Sequence, residues 1–217
     1  MNNRTFQNKT SYKREEILER ISQYVLFHGG RIAEPGLYHG RTGIALSLLL
    51  YSKRKQDKIL EKCGEELLTS VINNLNCNHA ISMEFGFSGI GYALALLYER
   101  GILTGDLNES LVEVDAAIME LNPLRINDKS IRTGIGGVYI YMQKRMELSG
   151  HTTIYPNSFI RDMEHSMLYG NTPYADFKSF SLLSDLDCPV NKESDYLNQP
   201  VELCGGSSYY LFRESYV

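Results

Sequence analysis

The sequence predicts an all-α fold, an arc of three to four helical hairpins in which outer amphipathic helices alternate with inner apolar ones. Three observations predict it. Gly-x-x-Gly followed by an aliphatic residue occurs at Gly40 (GRTGIAL), Gly86 (GFSGIGY) and Gly134 (GIGGVYI), at intervals of 46 and then 48 residues, a spacing that indicates a copied supersecondary unit. The segments opened by these glycines are apolar on nearly all sides, whereas those between them carry apolar residues at helical spacing. The decapeptides RIAEPGLYHG (31–40) and RINDKSIRTG (125–134) share Arg-Ile-x-acid, five further residues and Gly, at an offset of 94, the sum of the two intervals.

Taken in order, Ile17, Leu18, Ile21, Tyr24 and Val25 form one helical face from Glu16, and Gly29-Gly30 ends it. After Gly40, TGIALSLLLYS reads as a helix buried between others. Ile59, Leu60, Cys63, Leu67, Leu68, Val71 and Ile72 restore amphipathic spacing, and the segment ends near Asn74. SGIGYALALLYE from Ser88 is again apolar all round, followed by a less regular amphipathic helix marked by Leu107, Leu111, Ala116, Ile118 and Met119. GIGGVYIYMQKRM from Gly134 is β-rich enough to suit a strand, and only its place in the repeat decides for helix. A short amphipathic stretch follows at Phe159–Leu168. Past Gly170 the pattern fades, and 171–202 reads as an irregular loop or tail, too long for an ordinary connector, within one domain spanning 1–217. VELCGGSSYYLFRESY then has the look of a degenerate last inner helix.

With 217 residues, 43% hydrophobic, the chain can bury a core without disulfide support. Its 22 Lys and Arg against 26 Asp and Glu form no basic stripe, which argues against a nucleic-acid partner. The N-terminus has no apolar h-region and no apolar run reaches the ~18 residues of a membrane span, so a cytoplasmic address is expected. Four scattered cysteines (Cys63, Cys77, Cys188, Cys204) match neither a disulfide framework nor a compact zinc motif.

Glycine at a helix mouth permits unusual backbone angles and close approach of neighbouring backbone. Paired and repeated, Gly40/Gly43, Gly86/Gly89 and Gly134/Gly137 would let the inner helices converge, with free N–H groups and positive dipole ends aimed at a shared centre. On these residues the chain resembles a known family. GLYHGRTGIALSLLLYS and FGFSGIGYALALLYERG look like the first two repeats of the lanthionine synthetase C-like (LanC-like) cyclases. TGIGGVYIYM is similar to the third, and Leu203–Arg213 echoes the closing one.

The resemblance implies a partial α/α toroid. It also implies relation to enzymes whose zinc ion acidifies a cysteine thiol of a dehydrated precursor peptide, so that the thiolate adds to dehydroalanine or dehydrobutyrine and closes a thioether ring. The family's ligands are two cysteines and a histidine, in a Trp-Cys-type motif and a Cys-His-Gly motif on later repeats. This sequence contains neither and reads as a shortened member, so no catalytic residue is carried over, and the expectation is an atypical or zinc-less protein with no cofactor.

The central-cavity candidates are His39, Glu34, Glu84, Asp128 and the six glycines. LYHG approaches Cys-His-Gly, with Tyr38 where the cysteine would stand; a loop histidine bonded to backbone is the simpler account of His39. A zinc site of His39, Cys188 and Cys204 requires the chain ends to meet, and buried or reduced thiols explain the cysteines more simply. Cys63 reads as core, and Cys77 with His79 is a half-site at best. Carboxylates at a toroid mouth serve as acid and base in sugar-cleaving enzymes. Here the proximity of Glu34 to Arg31 and of Asp128 to Arg125 favours local ion pairs or capping.

An arc that does not close leaves apolar flanks bare, so either the tail after Gly170 or a second copy completing the ring is expected to cover them. Two functions follow: handling of a precursor peptide, or a non-catalytic helical-repeat scaffold that binds a partner protein.

Overall fold

The computed structural model describes residues 3–75, 79–150, 153–168 and 180–216, with side chains from residue 13 onward. Regular structure among them is helical throughout: α1 (Asn3–Gly29), α2 (Arg41–Lys55), α3 (Lys58–Asn73), α4 (Phe87–Glu99), α5 (Leu107–Met119), α6 (Ile135–Leu148), α7 (Asn157–Leu168), the one-turn α8 (Leu182–Asp185) and α9 (Ser208–Tyr216), with 3-10 turns at Pro123–Arg125 and Glu193–Asn198. The β-branched GIGGVYIYMQKRM is a helix, as its place in the repeat requires.

Inner helices α2, α4 and α6 are buried on every side over their first two to three turns, and α9 over its first five residues. They are the inner wall of the arc. Outer helices bury one face only. In α1 this face is Leu18, Ile21 and Val25; in α3 it is Leu60, Leu67, Leu68 and Val71. Three details of the periodic reading are corrected. Ile59 and Ile72 lie at the exposed ends of α3, Cys63 is only half-buried at the edge of its apolar face, and Met119 faces out of α5, where Val114 and Asp115 take the buried positions.

The two helix classes start differently. The outer helices α3 and α5 are capped by aspartates: Asp57 accepts from Ile59 N and Leu60 N at 2.9 and 3.2 Å, and Asp106 from Asn108 N at 2.7 Å. Inner helices have glycine at the cap and satisfy their first amides on carbonyls seven residues upstream. Arg41 N and Thr42 N donate to Glu34 O and Pro35 O; Phe87 N and Ser88 N to Ala80 O and Ile81 O; Ile135 N to Asp128 O; Ser207 N and Ser208 N to Pro200 O and Val201 O, all at 2.7–3.3 Å. In three repeats a hydroxyl two residues after the glycine (Thr42, Ser88, Ser208) donates to the same upstream carbonyl as its own amide. The first one or two amides of each inner helix, expected to face a shared centre, are therefore bonded to the preceding loop instead. The same pattern identifies Gly206-Ser-Ser-Tyr209 as the fourth repeat.

The second glycine of each motif sets the order of the arc. A Cβ there would collide with the carbonyl of Leu37, Met83 or Ile131 in its own loop. It would also crowd a side chain from the adjoining loop, Leu203 at Gly43, Leu37 at Gly89 and Met83 at Gly137. The repeats therefore stand in the order fourth, first, second, third, and α9–α2–α4–α6 is the sequence of packed neighbours. At the fourth repeat Tyr209 replaces the second glycine. It lies at the end of the arc, where no further repeat presses in.

The tail covers that end. Tyr209 Oη lies 3.0 Å from Cys188 Sγ, Tyr210 Oη donates to Asn191 O at 2.6 Å, and Arg213 pairs with Glu193. Further back, the Phe180 ring meets Tyr92 of α4 edge-on at 5.6 Å, and Leu182 and Leu186 are buried. Of the segment 171–202 read as irregular, residues 180–202 thus hold α8 and a 3-10 stretch packed on the arc, while 171–179 lie outside the described residues. No helix among the described residues is long and apolar enough to cross a membrane.

Candidate functional site

The loops that enter the inner helices meet at one rim. The residues two before the first glycine of each repeat are Cys204, Tyr38, Glu84 and Arg132, and their backbones are joined around the arc. Cys204 N donates to Tyr38 O (2.8 Å), Tyr38 N to Glu84 O (3.3 Å) and Glu84 N to Arg132 O (2.9 Å). This ladder fixes four side chains from four repeats side by side.

His39, next to Tyr38, lies between two carboxylates. Its Nδ1 is 2.7 Å from Glu202 Oε2 and its Nε2 is 3.1 Å from Glu84 Oε1, so the first, second and fourth repeats share one ring. The simple loop-histidine account is corrected: carboxylates, not backbone, hold it. Both nitrogens can donate only when both carry a proton; a neutral ring satisfies one of the two. Phe85, 42% exposed, stacks on the imidazole at 6.0 Å and 29°. The result is an aromatic platform flanked by two acids at the open face of the rim.

The other half of the rim is ordered by the tail. Tyr38 Oη donates to Asp185 Oδ2 at 2.6 Å. Arg132 lies over the Tyr38 ring at 5.2 Å and reaches Asp185 Oδ2 at 3.4 Å and Asp187 Oδ2 at 2.9 Å. Burial, reinforced by Asp185, pushes the Tyr38 phenol far above its usual range, so it remains a donor. The hydrogen bond from Arg132, with a further one from Cys204, holds the Asp187 carboxyl below the usual carboxylate range. Burial pushes the Cys204 thiol up to about 11, and its S–H donates to Asp187 at 3.4 Å.

The predicted residues divide accordingly. His39 and Glu84 meet at the rim. The six glycines are packing positions at the helix mouths, where a Cβ would meet the backbone of the preceding loop. Glu34 and Asp128 are not part of the constellation: both lie six residues before the first glycine, where their carbonyls cap the helix, and the Glu34 side chain is exposed. Asp128 turns back on its own loop, accepting from Ser130 N at 2.9 Å and Thr133 Oγ1 at 2.8 Å, bonds that lower its pKa. Among the described residues neither is paired with Arg31 or Arg125, so of the two local roles expected, ion pairing or capping, it is capping, through the backbone carbonyls, that the structure has. Cys77 lies outside the described residues, and His79 sits edge-on to Phe87 at 6.3 Å. Sequence reasoning missed Glu202, Arg132, Asp185 and Asp187. The register of the repeats carries a signal for Arg132 alone, which shares its position before the glycine with Tyr38 and Glu84.

A zinc ion does not fit this donor set. The three residues do not converge: each nitrogen of His39 faces a carboxylate, the Cys204 thiol is hydrogen-bonded to Asp187, and Cys188 is turned to Tyr209. No group of three or more His, Cys, Asp or Glu among the described residues is arranged to hold a metal ion.

Four inner helices on a hydrogen-bonded rim, backed by outer amphipathic helices, define a partial α/α toroid. The family model of lanthionine synthetase C-like proteins matches residues 31–175, two thirds of the chain, and the protein belongs to that family. No curated protein matches it. The family match stops short of α9, whose place as the fourth repeat rests on its hydrogen bonds to Pro200 and Val201.

Proposed function

We propose that this LanC-like protein is a zinc-less, cytoplasmic member that binds a precursor peptide at the rim and presents it for maturation. The single observation that carries the reading is the Glu202–His39–Glu84 bracket capped by exposed Phe85. It offers an aromatic face and acidic edges to a passing chain, and it occupies both nitrogens of the histidine that a metal would need. Family membership supplies the peptide class.

The test is capture of fluorescent protein by bead-bound short peptides that each contain Cys with Ser or Thr, compared with His39→Ala and Phe85→Ala. Capture by the wild type that falls at least tenfold in both variants is expected. Equal capture by all three would remove the rim from the function and favour a scaffold that uses another face. Stoichiometric zinc in protein purified without chelator would overturn the zinc-less reading.

A further inference from the structure

The receptor side of the rim is assembled from repeats, whereas what it holds comes from outside them. Tyr38 and Arg132 belong to the first and third repeat loops, occupy the same position before their glycines, and are fixed by the backbone ladder. Their ring and guanidinium, 5.2 Å apart, present a hydroxyl and a planar fork of N–H donors on the same side, the chemistry of a carboxylate receptor. Into it comes Phe180–Asp187, from 147 residues away in the case of Tyr38–Asp185. Asp185 and Asp187 meet the donors, while Phe180, Leu182 and Leu186 pack on apolar surface. The segment has little regular structure of its own, a single four-residue turn of helix. Its side chains alternate as a peptide ligand's do, acids to donors and aliphatics to the wall.

We propose that residues 180–187 are a tethered ligand, marking a binding seat for a peptide segment that combines aliphatic residues with closely spaced carboxylates. The proposal rests on the peptide-binding reading above and specifies which peptide chemistry the inner rim accepts. Tethering gives the internal copy an effective concentration on the order of millimolar, so a free peptide competes poorly until the tether's anchors are weakened. The seat is thereby closed to weak ligands and open to one that binds Tyr38 and Arg132 better than the chain's own acids do.

The experiment uses the full chain and a labelled synthetic peptide with the sequence of Phe180–Asp187, blocked at both ends, followed by fluorescence anisotropy. The Asp185→Asn/Asp187→Asn variant is expected to bind it at least tenfold more tightly than wild type, and adding Arg132→Met is expected to abolish the gain. A variant with wild-type circular dichroism and no gain would overturn the proposal. Should that variant fail to fold, hydrogen exchange on the wild type decides. The protected amides of Ser184, Asp185 and Leu186 are expected to exchange at least tenfold faster than those of α2 and α4. Exchange only in step with those helices would make the segment a fixed part of the core. Loss of bead capture in His39→Ala or Phe85→Ala reports on the outer platform alone, so the two readings fail separately.

Discussion

Removing the carboxylate of Asp115 is expected to cost about 5 kcal/mol of stability, a third or more of what a domain of this kind possesses. Arg145 of α6 is 1% exposed, and its Nε is 2.9 Å from Asp115 Oδ2 of α5. Asn108 Oδ1 accepts from its Nη2 at 2.8 Å, and its Nη1 has no partner among the described residues. Asp115 also accepts from the hydroxyls of Tyr141 (2.7 Å) and Tyr155 (2.5 Å). Asp115→Ala therefore strands a buried guanidinium, a change that costs about 3–5 kcal/mol in buried pairs. It also removes the acceptor of two tyrosine hydroxyls, about 1–3 kcal/mol each before relaxation.

Arg145→Met leaves Asp115 with both tyrosine donors and is expected to cost less, about 2–3 kcal/mol. The double variant should be no worse than Asp115→Ala, a coupling of about 2 kcal/mol or more. Urea unfolding followed by circular dichroism measures all three, with Asp115→Ala lowering the midpoint by about 2 M for a typical slope. Additive costs in the double variant, or an Asp115→Ala cost below about 1.5 kcal/mol, would refute the claim that this network ties α5, α6 and the Tyr155 loop together.

Gly89→Ala, which drives a Cβ into the Met83 carbonyl, should cost about 3 kcal/mol or more in thermal melts, while Gly30→Ala, with open space around it, should be neutral or slightly stabilising. Gln56 ends α2 in the left-handed region at φ 57°, and Gln56→Gly should raise stability by about 0.5–1 kcal/mol, the relieved strain exceeding the added chain entropy. Iodoacetamide at pH 8 should label exposed Cys188 well before buried Cys204, whose thiol is pushed up to about 11; equal rates by peptide mapping would contradict the Cys204–Asp187 contact. Because the Asp187 carboxyl is lowered in the folded state, its contribution is present above the unfolded value of about 4 and is lost as pH falls through the lower folded value. Limited proteolysis should therefore cut near 187 faster below about pH 4, and an unchanged rate there would deny Asp187 an anchoring role.

The alternation of buried and half-buried helices, the helix mouths and the repeat period were legible in the amino-acid order, because a helix face recurs every 3.6 residues and glycine at a close contact cannot be replaced. The helical state of 134–146 was legible only through that period, since Val138, Tyr139, Ile140 and Tyr141 favour strand locally. What the tertiary structure alone decided is who meets whom at the rim. His39 and Glu202 are 163 residues apart and Tyr38 and Asp185 are 147, and polar pairs at such separations leave no periodic trace in sequence. The fate of the inner-helix amides was hidden for the same reason. Whether an N–H faces a ligand or a carbonyl seven residues back depends on how the loop folds over it, and that is set by the neighbouring repeat pressing against the second glycine.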